Sequence, residues 1–359
     1  MIYLSQRLYL FVLFLFLSLS PCVCEEISGK DHLNDLSSNN ELQFNQLREQ
    51  MKKIQKSELH LHIGGAWPLE YLRGISKPQE FTDLCLMLDK IQKSEVDYHN
   101  AFQVFSLISK IMKSDDLIEN GVVALCADLL EDNVIYAEFR TGLKDLGSGL
   151  EGYLEAVLRG IQRGTEDTPL KVGLILSMRR DTNAFIAEQT IDLALKYRDK
   201  GVIGIDLSGD STQGDGKHVF QALIRAKENN LPITLHIGES KEETAEQQML
   251  ELLTIQPKRI GHAVHLCEKG REWIKEKNVL VELCLTSAVM AGMISDAKDH
   301  PAIQLLLEGH PVAICTDDPL VFSTSLSQEY AHIAMLTGLL PEEIQELQKP
   351  IQNYAFSND

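Results

Sequence analysis

Residues 57–65 read Ser-Glu-Leu-His-Leu-His-Ile-Gly-Gly (SELHLHIGG). On a β-strand, positions i and i+2 point to the same face, so His60 and His62 are expected to project side by side from one strand end. Two neutral imidazoles on one face suit a transition metal, most often zinc. Gly64 and Gly65 then let the chain turn sharply away. Two strand histidines with unrelated partners would give the same short pattern. The later strands decide between the readings.

Outward from this stretch, strand-like segments recur, each followed by a helical pattern. They are expected at 57–63, 134–141, 171–178, 201–208, 233–238, 259–264, 280–286 and 312–316. Several are near-continuous apolar runs, as in VGLIL, VIGID and VAIC, which marks strands buried on both faces. Helical patterns fall at 185–198, 218–229, 241–255 and 300–309. Eight β–α alternations predict an α/β fold, a closed (β/α)8 TIM barrel. A helical insertion at 67–132 separates strands 1 and 2 and is expected over the mouth, as a lid.

The chain has 359 residues, 44% of them apolar and 24% charged, ordinary for a globular protein with a substantial core. Its formal charge of −18 argues against nucleic acid or an anionic membrane as partner, though not against an anionic small molecule. Arg7 precedes an apolar run from Leu8 to Leu19, and small residues lead to Cys24. Residues 1–24 therefore read as a signal peptide, implying an exported mature chain, or a cytoplasmic one if the start is misassigned. Residues 25–50 read as a loose polar leader running into a first helix, and 51–359 as the barrel domain. Seven cysteines fall to five without Cys22 and Cys24. Their odd number and apolar surroundings suggest buried thiols rather than a disulfide framework.

Polar groups costly to bury gather at one end of these strands. His60 and His62 close the first; Ser208, Gly209 and Asp210 the fourth; His236, Gly238 and Glu239 the fifth. Gly261 and His262 lie in the sixth, Thr286 and Ser287 close the seventh, and Thr316, Asp317 and Asp318 the eighth. The C-terminal strand ends of such barrels carry active sites. His60, His62, His236 and Asp317 make a plausible set for one zinc ion with room for a water, whose pKa the metal lowers. Glu239 is placed to protonate a substrate, and His262 to hold or deprotonate the attacking water. Asp318 is free to accept a hydrogen bond. Against these stand plainer readings: Asp317-Asp318 as a loop or cap, His262 as a core histidine, Glu239 as the start of an acidic helix. His99, His218, His265, His300, His310 and His332 are assigned to surfaces, caps or structure.

SELHLHIGG, GIDLSGD, LHIGES, RIGHAVH, ELCLTSA and ICTDDPLVFSTSLSQEY, in this order and spacing, resemble the adenosine deaminase family over nearly the whole mature chain. The phrases IDLSGD, ELCLTS and ICTDD…LSQEY are most similar to its adenosine deaminase-like branch, which deaminates N6-methyl-AMP and related N6-modified nucleotides. The resemblance implies a zinc-bearing (β/α)8 barrel with ligands His60, His62, His236 and Asp317. It implies Glu239 as proton donor to purine N1 and His262 as the residue orienting the water. Asp318 would meet N7 and the Gly209 backbone the N3 side, with His62 and Gly64 also lining the substrate.

Three departures qualify it. Adenosine deaminases have Asp, and the nucleotide branch Asn, where this chain has Gly64; loss of a carboxylate removes one barrier to a 5′-phosphate. Ala263 replaces a usual glycine, and the chain stops soon after NYAFSND, short of the terminal helix many members carry. The expected reaction is hydrolytic deamination of an adenine-type nucleoside or nucleotide, releasing ammonia or an amine. Motif wording favours the nucleotide and the export signal favours adenosine. Arg140, Lys144, Arg179 and Arg180 are candidates for a phosphate. A binuclear amidohydrolase would usually bring a lysine from strand four, and GVIGIDLSGD has none. The remaining alternatives are a deaminase-fold binding or signalling protein and an amidohydrolase of another N-substituted substrate.

Overall fold

The structure, a computed structural model, describes residues 34–93, 103–210, 217–241 and 243–356. The apolar N-terminal run, the first part of the leader and His99 lie outside them. Eight parallel strands follow one another in sequence order: β1 Lys56–His62, β2 Val134–Thr141, β3 Lys171–Arg179, β4 Val202–Ser208, β5 Ile233–Ile237, β6 Arg259–His262, β7 Leu280–Leu283 and β8 Val312–Ile314. The sheet closes where Leu61 bridges Asp317 in parallel. The His62 N–H donates to Asp317 O and the Asp317 N–H donates to His60 O, both at 2.9 Å. The eight-fold alternation thus gives the expected (β/α)8 barrel. All seven residues of β4 are buried, as its apolar run requires.

Before β1 lies α1, Asn34–Met51; in the insertion lie α2 Leu69–Ile75, α3 Pro78–Gln92, α4 Gln103–Ile111 and α5 Asp115–Glu131. The outer ring continues with α6 Gly149–Thr165, α7 Ala184–Lys196, α8 Lys217–Glu228, α9 Glu243–Leu253 and α10 Glu268–Lys277. Then come α11 Leu285–Met290, α12 Pro301–Leu307, α13 Pro319–Phe322, α14 Leu326–Thr337 and α15 Pro341–Gln348. The leader, expected as loose, is helical from Asn34, because α1 has an apolar anchor: Phe44 is fully buried and stacks on His332 of α14 with ring centres 4.6 Å apart. Helix α4 buries Val104, Ile108 and Ile111 and turns Phe105, Ser106 and Ser109 toward the cavity at the barrel mouth. Among the described residues no helix is long and apolar enough to cross a membrane. Among the described residues Cys85, Cys126, Cys267, Cys284 and Cys315 form no disulfide.

Three strands end earlier than their apolar runs suggest, for backbone reasons. β6 stops at His262 because His262 and Ala263 both take left-handed backbone, φ +63° and +57°. β8 stops at Ile314, and Asp317 is also left-handed at φ +68°. β7 stops at Leu283, so Thr286 and Ser287 lie in α11 rather than on the strand; Glu329 of α14 accepts the Thr286 N–H at 3.2 Å.

Barrel closure also rests on Glu58, whose side chain is fully buried. One oxygen accepts the His60 N–H at 2.8 Å; the other accepts the Thr316 N–H at 3.0 Å and hydroxyl at 2.7 Å. Burial pushes its pKa up to about 7, against these donors. Glu58→Ala strands three buried donors and is expected to lower the unfolding free energy by about 3 kcal/mol. The readout is a lower urea midpoint at unchanged m-value; an unmoved midpoint would show that closure does not depend on this carboxyl.

Candidate active site and metal centre

The rim residues singled out in the sequence converge. His60 Nε2 lies 3.2 Å from His62 Nε2, which lies 3.0 Å from His236 Nε2. Asp317 Oδ1 is 3.4 Å from His60 Nε2 and 3.6 Å from His62 Nε2. The backs of two rings are fixed: His60 Nδ1 meets Glu282 Oε2 at 2.8 Å, and His236 Nδ1 meets Asp206 Oδ1 and Leu207 O, each at 2.9 Å. Both rings therefore turn Nε2 inward, and Ser287 Oγ holds Asp317 Oδ2 at 2.6 Å. Imidazoles braced from behind by carboxylates are the usual form of a metal ligand.

Burial and the Arg140 charge oppose a proton on His60, yet its bonds to Asp317 and Glu282 carry its pKa up to about 9. Burial and then His236 drive His62 down to about 3. The two neighbouring imidazoles are thus driven in opposite directions, His60 toward its charged form and His62 toward the neutral form in which imidazole ligates a metal. Asp206 and His262 also bring donor atoms within 4.8 Å of the histidines. Asp206 is already committed, to His236 and to Ser177 Oγ at 2.6 Å. His262 is not committed in this way: its Nδ1 is buried without a partner.

A cavity of about 880 Å³ opens above the cluster, within the range of small-molecule sites. Four unsatisfied buried atoms among the described residues belong to residues lining it: Arg140 Nε, Glu239 Oε2, His262 Nδ1 and Asp318 Oδ1. Glu239 Oε1 stands 3.7 Å from His262 Nε2. Burial raises the Glu239 pKa, with His236 and Arg180 opposing, and drives His262 well below its ordinary value. Asp318 is pushed well above the carboxylate range by burial and then by the neighbouring Asp317 charge. Buried polar atoms without partners are costly, and a bound ligand is one way to satisfy them.

Two glycines are required by close approach. A Cβ on Gly261 would lie 2.8 Å from His60 Cε1, and one on Gly65 would lie 1.9 Å from Asp318 Oδ1. Gly209 has φ +89° and backs onto Arg179 and Arg180. Gly64 lines the cavity with no atom within 4 Å of where a Cβ would stand.

The phosphate candidates separate. Arg140 is fully buried, donating to Leu59 O at 2.8 Å and pairing with Glu282 at 2.5 Å and Asp206 at 3.4 Å; it belongs to the barrel interior. Arg180 is buried and donates to His236 O at 2.6 Å. Arg179 pairs with Asp181 at 2.9 Å. Lys144 stands at the cavity with no ion pair among the described residues. The remaining described histidines are structural: His265 meets Met293 O at 2.9 Å, His310 meets Val279 O at 2.8 Å, and His300 caps α12. His218 is exposed. The sequence reading missed Asp206 and Glu282. Their signal was present, a carboxylate inside an otherwise apolar strand, which is tolerable only when paired.

Residues 55–359 match the family model described as Adenosine deaminase. The N6-mAMP deaminase of Arabidopsis thaliana is 32% identical over 341 residues, covering 87% of this chain and 95% of its own length. Crystal structures of Arabidopsis ADAL complexed with GMP and with IMP each superpose with TM-score 0.79 at 33% identity. Each covers 87% of this chain, and 95% and 94% of the respective neighbour.

Gly261→Ala must displace the His60 ring. If the cluster holds a metal, the substitution is expected to weaken its binding roughly tenfold or more, measured with Zn²⁺ as the probe by chelator competition on folded protein. Zinc affinity equal to the parent's would mean that the His60 ring position is not needed for the metal.

Proposed function

Since the chain belongs to the adenosine deaminase family, and so is a deaminase hydrolysing a C–N bond, we propose that it acts on the N6 position of an adenine nucleotide, with N6-methyl-AMP preferred. The observation that carries the reaction is the trio of unsatisfied groups on Glu239, His262 and Asp318 beside the imidazole cluster. Support for the nucleotide comes from the N6-mAMP deaminase relative, the GMP and IMP complexes of its structural neighbour, and Lys144 at the cavity, which has no ion pair among the described residues.

Each group has a task that fits its environment. His60, His62, His236 and Asp317 would hold one zinc ion, which supplies Lewis acidity and makes hydroxide available near neutral pH. His262, kept neutral by burial, takes up the proton of the attacking water as oxygen bonds to C6. Glu239, whose pKa burial raises toward that of a proton donor, gives a proton to N1 as the ring loses aromaticity. As the C6–N6 bond breaks, the amine leaves with the proton held by His262, and the C6 hydroxyl becomes the carbonyl by returning its proton to Glu239. Purine N7 is an acceptor. Asp318 is therefore used as a donor in its protonated form, in place of the acceptor role expected from the sequence.

The sign of the pH dependence follows. Both Glu239 and Asp318 have raised pKa values and act protonated, so turnover falls as pH rises through those values; on the acid side it falls as His262, whose pKa burial lowers, becomes protonated. Glu239→Gln is expected to cost 10²–10⁴-fold in kcat with metal retained. Asp318→Asn keeps an N–H donor and should hold KM within a few-fold, whereas Asp318→Ala should raise it about tenfold. Equal KM for the two variants would remove the donor role. Methylamine or ammonia release from N6-methyl-AMP, AMP and adenosine in parallel tests the substrate. Lys144→Met is expected to raise KM about tenfold for the nucleotides alone, and turnover confined to adenosine would refute the nucleotide assignment.

A further inference from the structure

Beneath the metal cluster, at the opposite end of the barrel, the chain returns after α15 and closes the floor with Tyr354, Ala355 and Phe356. Phe356 is buried and its ring covers the Arg259 guanidinium, 3.8 Å from carbon to ring centre. The ring occupies a notch that exists because residue 204 is glycine: a Cβ there would lie 2.5 Å from Phe356 Cδ2. The Phe356 N–H donates to Glu138 Oε1 at 2.6 Å, Arg259 Nη1 donates to Tyr354 O at 3.0 Å, and Lys258 Nζ donates to Ala355 O at 2.8 Å.

Arg259 is fully buried at the start of β6, and its guanidinium faces two carboxylates. Nη2 pairs with Glu138, and Nε donates to Glu282 Oε1 at 2.7 Å. Glu282 is divided between two duties. Oε1 takes Arg259 and the Thr234 hydroxyl, the latter at 3.0 Å; Oε2 takes Arg140 and His60 Nδ1. Arg140 then reaches Asp206, which braces His236. Arg259 therefore fixes the plane of the carboxylate that fixes the His60 ring, and the Phe356 ring and Tyr354 carbonyl fix Arg259.

We propose that Arg259 and its seat in Tyr354–Phe356 position His60 from the barrel floor and thereby set the affinity and geometry of the metal centre. The proposal rests on the reading of His60 as a metal ligand. Arg259 and Phe356 are positioning residues: neither lines the substrate cavity. A guanidinium suits this place because its planar fork binds carboxylate and carbonyl at once while its face stacks on a ring, which an ammonium does not reproduce.

The test uses the full chain and two metal readouts, chelator competition for Zn²⁺ and the visible absorption of the Co²⁺-loaded protein. Arg259→Met is expected to weaken Zn²⁺ binding about 10–100-fold and shift the Co²⁺ spectrum at saturating metal. Arg259→Lys should fall between Arg259→Met and the parent. Phe356→Ala, which leaves all charges in place, should weaken binding about tenfold with the same direction of spectral shift. Ile161→Ala, a buried truncation in α6 outside the Phe356–Arg259–Glu282–His60 chain of contacts, serves as the control for lost stability and should leave both metal readouts at parental values. Parental Zn²⁺ affinity and Co²⁺ spectrum in Arg259→Met and Phe356→Ala overturn the proposal, as does an equal loss in Ile161→Ala. A parent chain that binds no metal overturns the reading of His60 as a ligand together with this proposal, and so is distinguishable from failure of the positioning role alone.

Discussion

Closing an eight-stranded sheet on itself brings the end of β8 against β1, and everything at the site depends on the hydrogen bonds that make this closure. The backbone of Asp317 accepts from His62 and donates to His60, so the residue that seals the barrel is held between two imidazoles. Its carboxylate then has little choice but to face them. A ligand set contributed by both ends of the sheet is thus a product of shear and closure. Glu58 reinforces the seam two residues before His60, tying the β1 backbone to Thr316. The barrel seam and the imidazole–carboxylate cluster that could hold a metal share the same few bonds.

The price of this construction is local strain. His262, Ala263 and Asp317 all sit in left-handed backbone without being glycine or asparagine. Such conformations persist where surrounding structure over-determines them, and they gather at functional sites. Here the pair at 262 and 263 ends β6, and His262 and Asp317 both line the cavity. Ala263, with φ +57°, occupies the position where the sequence reading found alanine in place of a usual glycine, so the substitution retains the left-handed turn beside His262.

Much of this was legible in the sequence because it depends on short-range pattern. Period-two histidines, buried apolar runs and polar strand ends lead to the barrel and to the convergence of His60, His62, His236 and Asp317. What could not be read was pairing across the barrel. Arg140 looked like a rim cation because it stands near a strand end, yet it is buried against Glu282 and Asp206, which lie 142 and 66 residues away in the chain. The helix at 285–290 was hidden for a related reason: ELCLTS continues the apolar run, and only the Glu329 carboxylate meeting the Thr286 N–H shows that the strand has ended. The leader likewise depends on a distant partner, since Phe44 finds His332 only in the folded chain.

Gly64 stands apart from this interdependence. Its neighbours Gly65 and, across the sheet, Gly261 are locked by contacts that leave no room for another atom, while the space beside Gly64 is open. A side chain can be gained or lost there by a single codon change without disturbing barrel closure or ligand packing. The polarity of the cavity wall at this one position can therefore change while the seam and the packed glycines around it stay as they are.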